Sequence, residues 1–140
     1  MRIVLDTNVA VSAVLWRGTP YELMRAIRQH EHVQLFTSAA LLVELGEVLA
    51  RPVLSKRLAL LGRAAHEVLA DYIDAVELVT PIAVPRVIAA DADDDQVIAA
   101  AIAAEADFLV SGDRHLLALG SYNKIRMVAP VEAIRLIGVA

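Results

Sequence analysis

The run Arg2–Asp6, RIVLD, places its apolar residues at consecutive positions rather than alternate ones. Such a strand is covered on both faces, as in parallel sheets flanked by helices. VQLFT (33–37), VELV (76–79), FLVS (108–111) and Ile125–Val128 read as further strands. Helical stretches separate them: about Asn8–Leu15, Pro20 to about Gln29, from Ser38 to near Arg51, Ser55–Leu60, Arg63–Asp74, the run after Asp95, Leu116–Leu119 and Val131–Ile137. Thr19 reads as an N-cap before Pro20, and Ser38 as the cap of the helix that follows it. Gly62 splits two helices, and Pro81 and Pro85 bracket a loop. Strands alternating with helices imply right-handed crossovers and a three-layer α/β/α sandwich. Its ligands are expected outside the carboxyl ends of the strands.

The 140 residues suit one domain, 1–140, with no linker or repeat. A chain this long buries roughly 70% of its unfolded surface and needs no staple. It has no cysteine, which removes disulfide and thiolate chemistry and fits a reducing compartment. Hydrophobic residues make up 58% of the chain, yet the longest apolar run, Val97–Ala104, is far short of the ~20 residues of a membrane span. The start, with Asp6 after three apolar residues, does not read as a signal peptide. The expectation is a soluble cytoplasmic protein without a membrane partner, its excess apolar surface hidden in a homo-oligomer. The net charge of −4 argues against a generic basic nucleic-acid binder but leaves room for a nucleic-acid enzyme with an acidic centre.

Acids gather where that sheet should bind ligands. Asp6 ends the first strand, and Asp113 follows the fourth on the turn Ser111-Gly112-Asp113. Either alone also reads as a helix cap or an Asx-turn. Glu44 shares a helix stripe with Leu41, Leu45 and Val48, where a carboxylate is seldom left unpaired. Glu47 has an ordinary partner in prospect, Arg51 four residues on. Between Pro85 and the fourth strand stands DADDD, with four aspartates in five positions, 91–95. Capping explains one, and the helix dipole a second. Asp94 and Asp95 both head an almost wholly apolar helix, so periodicity does not choose between them. Like charges this close raise one another's pKa unless a cation intervenes. Oxygen ligands select a hard cation, Mg²⁺ or Mn²⁺, suited to phosphate chemistry.

RIVLDTNVAVSAVLW, TSAALLVELGEVLARP, DADDDQVIAAAIAAEADFLVSGD and RHLL, in that order, resemble the PIN-domain family. The resemblance is greatest to the VapC-like toxin components of toxin–antitoxin systems. It covers nearly the whole chain, with 55–85 the least distinctive part. It implies a five-stranded parallel sheet, frequent dimers and metal-dependent ribonuclease activity. The family's first acid falls on Asp6, with Thr7 and Asn8 completing D-T-N. The second falls on Glu44 and the fourth on Asp113, with Ser111 at a position where the family has Thr or Ser. The third falls on Asp95 by the compact toxin spacing, or on Asp94 by the subgroup pattern, with Asp91 in reserve. One departure is His115, where the subgroup commonly has a further acid; a histidine can ligate a metal but is a poorer Mg²⁺ ligand than a carboxylate.

The expected chemistry is hydrolysis of RNA phosphodiesters. Asp6, Asp94 or Asp95, and Asp113 would hold the metal, and Glu44 would complete the shell or orient water. Thr7, Asn8 or Ser111 would position a carboxylate or a phosphate oxygen. Arg51, Lys56, Arg57 and Arg63 are candidates for phosphate contacts, because the acids repel free RNA. The resemblance also implies a small antitoxin partner, and Trp16 is a candidate interface anchor. A dehalogenase-type phosphatase would need an acid at position 8, which is Asn. A receiver domain would need acids beside the end of the first strand and after the third, which Val4, Leu5 and the 76–80 stretch do not supply. The alternative is a catalytically silent PIN module that binds RNA or an antitoxin.

Overall fold

The computed structural model describes residues 1–87 and 92–139, leaving aside the side chains of Ala92 and Asp93. β1 (Arg2–Leu5) lies at the centre of a six-stranded sheet of order β3-β2-β1-β4-β6-β5. β2 (Gln34–Ser38) and β4 (Phe108–Val110) flank β1 in parallel, with Ile3 opposite Leu35 on one side and Phe108 on the other. β3 (Glu77–Val79) and β6 (Ile125–Val128) extend the sheet outward, also in parallel. The order therefore reverses at β1, and the crevice between the carboxyl ends of β1 and β4 is the switch point where such sheets bind ligands.

Continuous apolar strands follow from burial on both faces. Ile3, Leu5, Leu35, Val110 and Val128 enter one core layer, while Val4, Phe36, Leu109 and Met127 enter the other. The first layer is closed by α1 (Thr7–Leu15), α2 (Thr19–Gln29), α3 (Ala39–Leu49), α4 (Pro52–Leu61), α5 (Ala65–Ala75) and α8 (Pro130–Val139). The second is closed by α6 (Ala92–Ala103) and α7 (Arg114–Leu119). The small residues Ala99, Ala100 and Ala101 of α6 are fully or almost fully buried, which lets this helix lie close on the sheet. Among the described residues no helix is long and apolar enough to cross a membrane.

Several local expectations change. Ser38 does cap α3, its Oγ accepting the Leu41 N–H at 3.3 Å. Thr19, however, is the first residue of α2, and Gly18 occupies the cap position without a side-chain bond. Pro20 is tolerated one place later because first-turn N–H groups lack helical partners in any case. Gly62 ends α4 in the left-handed conformation, at φ 64°. The sheet is not five-stranded and wholly parallel. β5 (Ser121–Tyr122) pairs antiparallel with β6 through Asn123 and Lys124, both at positive φ (49° and 67°). A two-residue turn with both residues at positive φ matches the strand twist. Lys124, where Gly is usual, disguised it in the sequence.

Candidate active site

The site begins with one carboxyl group bonded from two directions. Asp6 leaves β1 in extended conformation and caps α1, its Oδ1 accepting the Val9 N–H at 2.8 Å. Its Oδ2 accepts the hydroxyl of Ser111, the fully buried residue after β4. The Ser111 Oγ accepts in turn the Asp113 backbone N–H at 2.9 Å. Asp113 caps α7, with Oδ1 accepting the N–H groups of His115 at 2.7 Å and Leu116 at 3.3 Å. Two strand ends and two helix starts are thus fastened into one constellation.

Asp6 is only 8% exposed. Burial pushes its carboxyl above the usual range; the bonds from Ser111 and the Val9 N–H oppose this, and the Asp113 charge adds to it. A cation beside the two acids would oppose both upward pressures.

A cleft of about 220 Å³ opens above this constellation. Asp6, Glu44, Asp94 and Asp113 all line it, as do Thr7 and Asn8. Its apolar part is Leu41, Val48 and Val97, so Glu44 stands half-buried on the stripe described for α3. Asp94 and Asp95, which periodicity left open, have different surroundings. Asp94 is buried in the cleft wall. Asp95 is equally buried, but its Oδ1 accepts the Val87 N–H at 2.9 Å and it does not line the cleft. Asp91 lies outside the described residues, as does the Asp93 side chain. Ligand atoms of Asp94, Asp113 and His115 lie within 4.8 Å of one another. A donor set of carboxylate oxygens with one adjacent imidazole fits a divalent cation.

The cations separate in the same way. Arg51 is exposed and lines the cleft; among the described residues it forms no ion pair with Glu47. Lys56 is exposed on α4 and does not reach the cleft lining. Arg57 turns toward α1, its Nε donating to the Leu15 carbonyl at 2.7 Å and its guanidinium lying 5.6 Å from the centre of the Trp16 ring. Trp16 is 42% exposed, neither core nor bare. Arg63 pairs with Asp71 at 2.5 Å in a separate cavity of about 300 Å³ between α1, α2 and α5.

Tyr72 was not anticipated. It is buried on α5, and burial, reinforced by the Asp6 charge, pushes its phenol up. The phenol therefore stays neutral within electrostatic reach of the acid. Its helix lies in the least distinctive part of the sequence, and nothing local marked it.

A family model described as PIN domain matches residues 2–115. The chain belongs to the PIN-domain family. No curated protein matches it. Among solved structures, this PIN domain is similar to VapBC2 from Rickettsia felis, crystallised with a DNA fragment from the promoter. The TM-score is 0.64 at 16% identity, covering 91% of this chain and 97% of that one. It is also similar to PAE2754 from Pyrobaculum aerophilum, with TM-score 0.60 and 16% identity over 100% of this chain and 91% of the other. At such identity the likeness speaks for the fold.

Proposed function

We propose that this PIN domain is a divalent-metal-dependent endoribonuclease and the toxin of a toxin–antitoxin pair. The observation that carries the reading is the convergence of Asp6, Glu44, Asp94 and Asp113 on one cleft at the switch point of the sheet. Asp6, Asp94 and Asp113 would hold Mg²⁺ or Mn²⁺. The ion, when bound, supplies a polarised phosphoryl oxygen and a water of lowered pKa. Glu44, across the cleft, would accept a proton from the attacking water and orient it. Ser111 positions Asp6 through its hydroxyl and Asp113 through the backbone. Thr7 and Asn8 offer hydrogen bonds at the cleft wall, and Arg51 would contact an RNA phosphate. Asp95 drops to a supporting role as the acceptor for Val87.

The toxin assignment draws on the likeness to the VapBC2 structure, and a small antitoxin is the expected partner. A homo-oligomer in the cytoplasm is part of the same reading. The large apolar side chains left exposed support the oligomer, Val53 at 80% and Leu60 at 74% among them.

The test is cleavage of a mixed pool of single-stranded and structured RNA by purified protein with Mg²⁺ or Mn²⁺, beside Asp6→Asn. Cleavage that stops in EDTA and in the variant is the expected result. Cleavage that persists in both overturns the reading. Binding of RNA or an antitoxin without turnover would favour the silent module.

A further inference from the structure

We propose that His115 adds a nitrogen donor to the carboxylate centre and turns its preference from Mg²⁺ toward borderline transition cations such as Co²⁺ and Ni²⁺. This rests on the metal-dependent reading above and specifies which ion that centre favours.

His115 is the second residue of α7, and its backbone N–H donates to Asp113 Oδ1 at 2.7 Å. The imidazole is therefore carried by the same half-turn that orients Asp113. Its Nδ1 lies 3.7 Å from Asp113 Oδ1. With Asp94 included, the three donor atoms fall within 4.8 Å of one another. Ligands about 2.1 Å from a shared ion lie roughly 3–4 Å apart. Closing the set therefore requires a side-chain adjustment of no more than about an ångström or two. The His115 side chain is 54% exposed and has room to make it. Both described hydrogen bonds to the Asp113 carboxyl fall on Oδ1.

Carboxylates alone form a hard site. Mg²⁺ favours oxygen and sheds its water reluctantly, so an imidazole contributes little to its binding. For Co²⁺ and Ni²⁺ imidazole is a favoured ligand, and the intrinsic affinity order runs the same way. An imidazole at this position therefore changes which ion gains from the added donor. An imidazole adds no negative charge beside Asp94 and Asp113, so the ion-free centre is less repulsive than a further carboxylate would make it.

The experiment is calorimetric titration of tag-free protein with Mg²⁺, Mn²⁺ and Ni²⁺ at pH 7.5, for wild type, His115→Ala and His115→Asp. Pulsed EPR of bound Mn²⁺ would read ligand nitrogen directly. The expected result is a loss of about tenfold in Ni²⁺ affinity in His115→Ala with Mg²⁺ affinity little changed. His115→Asp should tighten Mg²⁺ and weaken Ni²⁺. Nitrogen modulation should be present in wild type and absent in both variants. Unchanged Ni²⁺ affinity without nitrogen modulation, while Mg²⁺ or Mn²⁺ still binds, overturns the role of His115 and leaves the carboxylate centre standing. It would then be an ordinary partner of Asp113. Failure of wild type to bind any of the three ions overturns the metal reading as well.

Discussion

The hydroxyl of Ser111 donates to the Oδ2 of Asp6 across 105 positions of sequence, and its oxygen accepts the Asp113 N–H. One buried side chain thereby ties the Asp6 carboxyl to the turn that carries Asp113. Ser111→Ala removes the donor that opposes the burial of Asp6, so the Asp6 carboxyl should ionise less readily. The acid limb of the activity–pH profile should move to higher pH, with a stability loss of about 1–3 kcal/mol. Ser111→Thr keeps the hydroxyl and should restore the profile. An unchanged acid limb in Ser111→Ala would mean that this bond does not govern Asp6.

Asp6 also dictates how the metal-free protein responds to pH. Its folded pKa lies above the ordinary value, so the folded state holds this proton more tightly than the unfolded state. Stability is then greatest below the unfolded value and falls as pH rises through the folded one. Asp6→Asn removes that loss and keeps an acceptor for Val9. In EDTA at pH 7.5 the variant should melt a few degrees above wild type, and the gap should close near pH 3. Saturating metal should reverse the order, because the variant lacks one proposed ligand and gains less binding energy. A variant less stable by the same amount at both pH values would show that hydrogen-bond geometry, not charge, dominates.

Asp94 and Asp95 differ by one position and should differ greatly in effect. Asp94→Asn alters a cleft carboxylate, and turnover should fall about a hundredfold. Asp95→Asn retains an oxygen for the Val87 N–H, and turnover should stay within about threefold. Steady-state cleavage of one RNA by both variants decides it. Equal losses would bring Asp95 back into the centre.

Arg51 should act on substrate binding rather than on the chemical step. Arg51→Ala should raise KM with kcat little changed and reduce the salt dependence of RNA binding by about one phosphate contact. Lys56→Ala should alter neither. Titrations at several salt concentrations compare the two, and a matching effect of Lys56→Ala would place RNA over α4 as well.

The readable parts of the chain were those decided locally. β1 was legible because two-faced burial writes itself as consecutive apolar residues, and Ser38 because a cap acts over three positions. Glu44 stood out because an acid on the Leu41–Leu45–Val48 stripe must meet something polar, and here it meets the acidic cleft. The choice between Asp94 and Asp95 was hidden because both begin an almost wholly apolar helix; contacts from other elements separate them. The reach of Arg57 and Arg63 was hidden for a related reason. A long half-buried cation goes wherever a carbonyl or carboxylate from another element awaits it, here Leu15 and Asp71. β5 is too short to carry a periodic signal at all.

Asp6 and Asp113 each begin a helix as well as facing the cleft. A descendant of this chain that abandoned catalysis would still be under pressure to keep a capping oxygen at both positions, as Asp or Asn, since losing a cap costs about 1 kcal/mol. Their survival in a relative therefore records architecture before it records chemistry. Glu44, in the middle of α3, has no helix end to serve. It is the acid whose decay would first betray a retired nuclease.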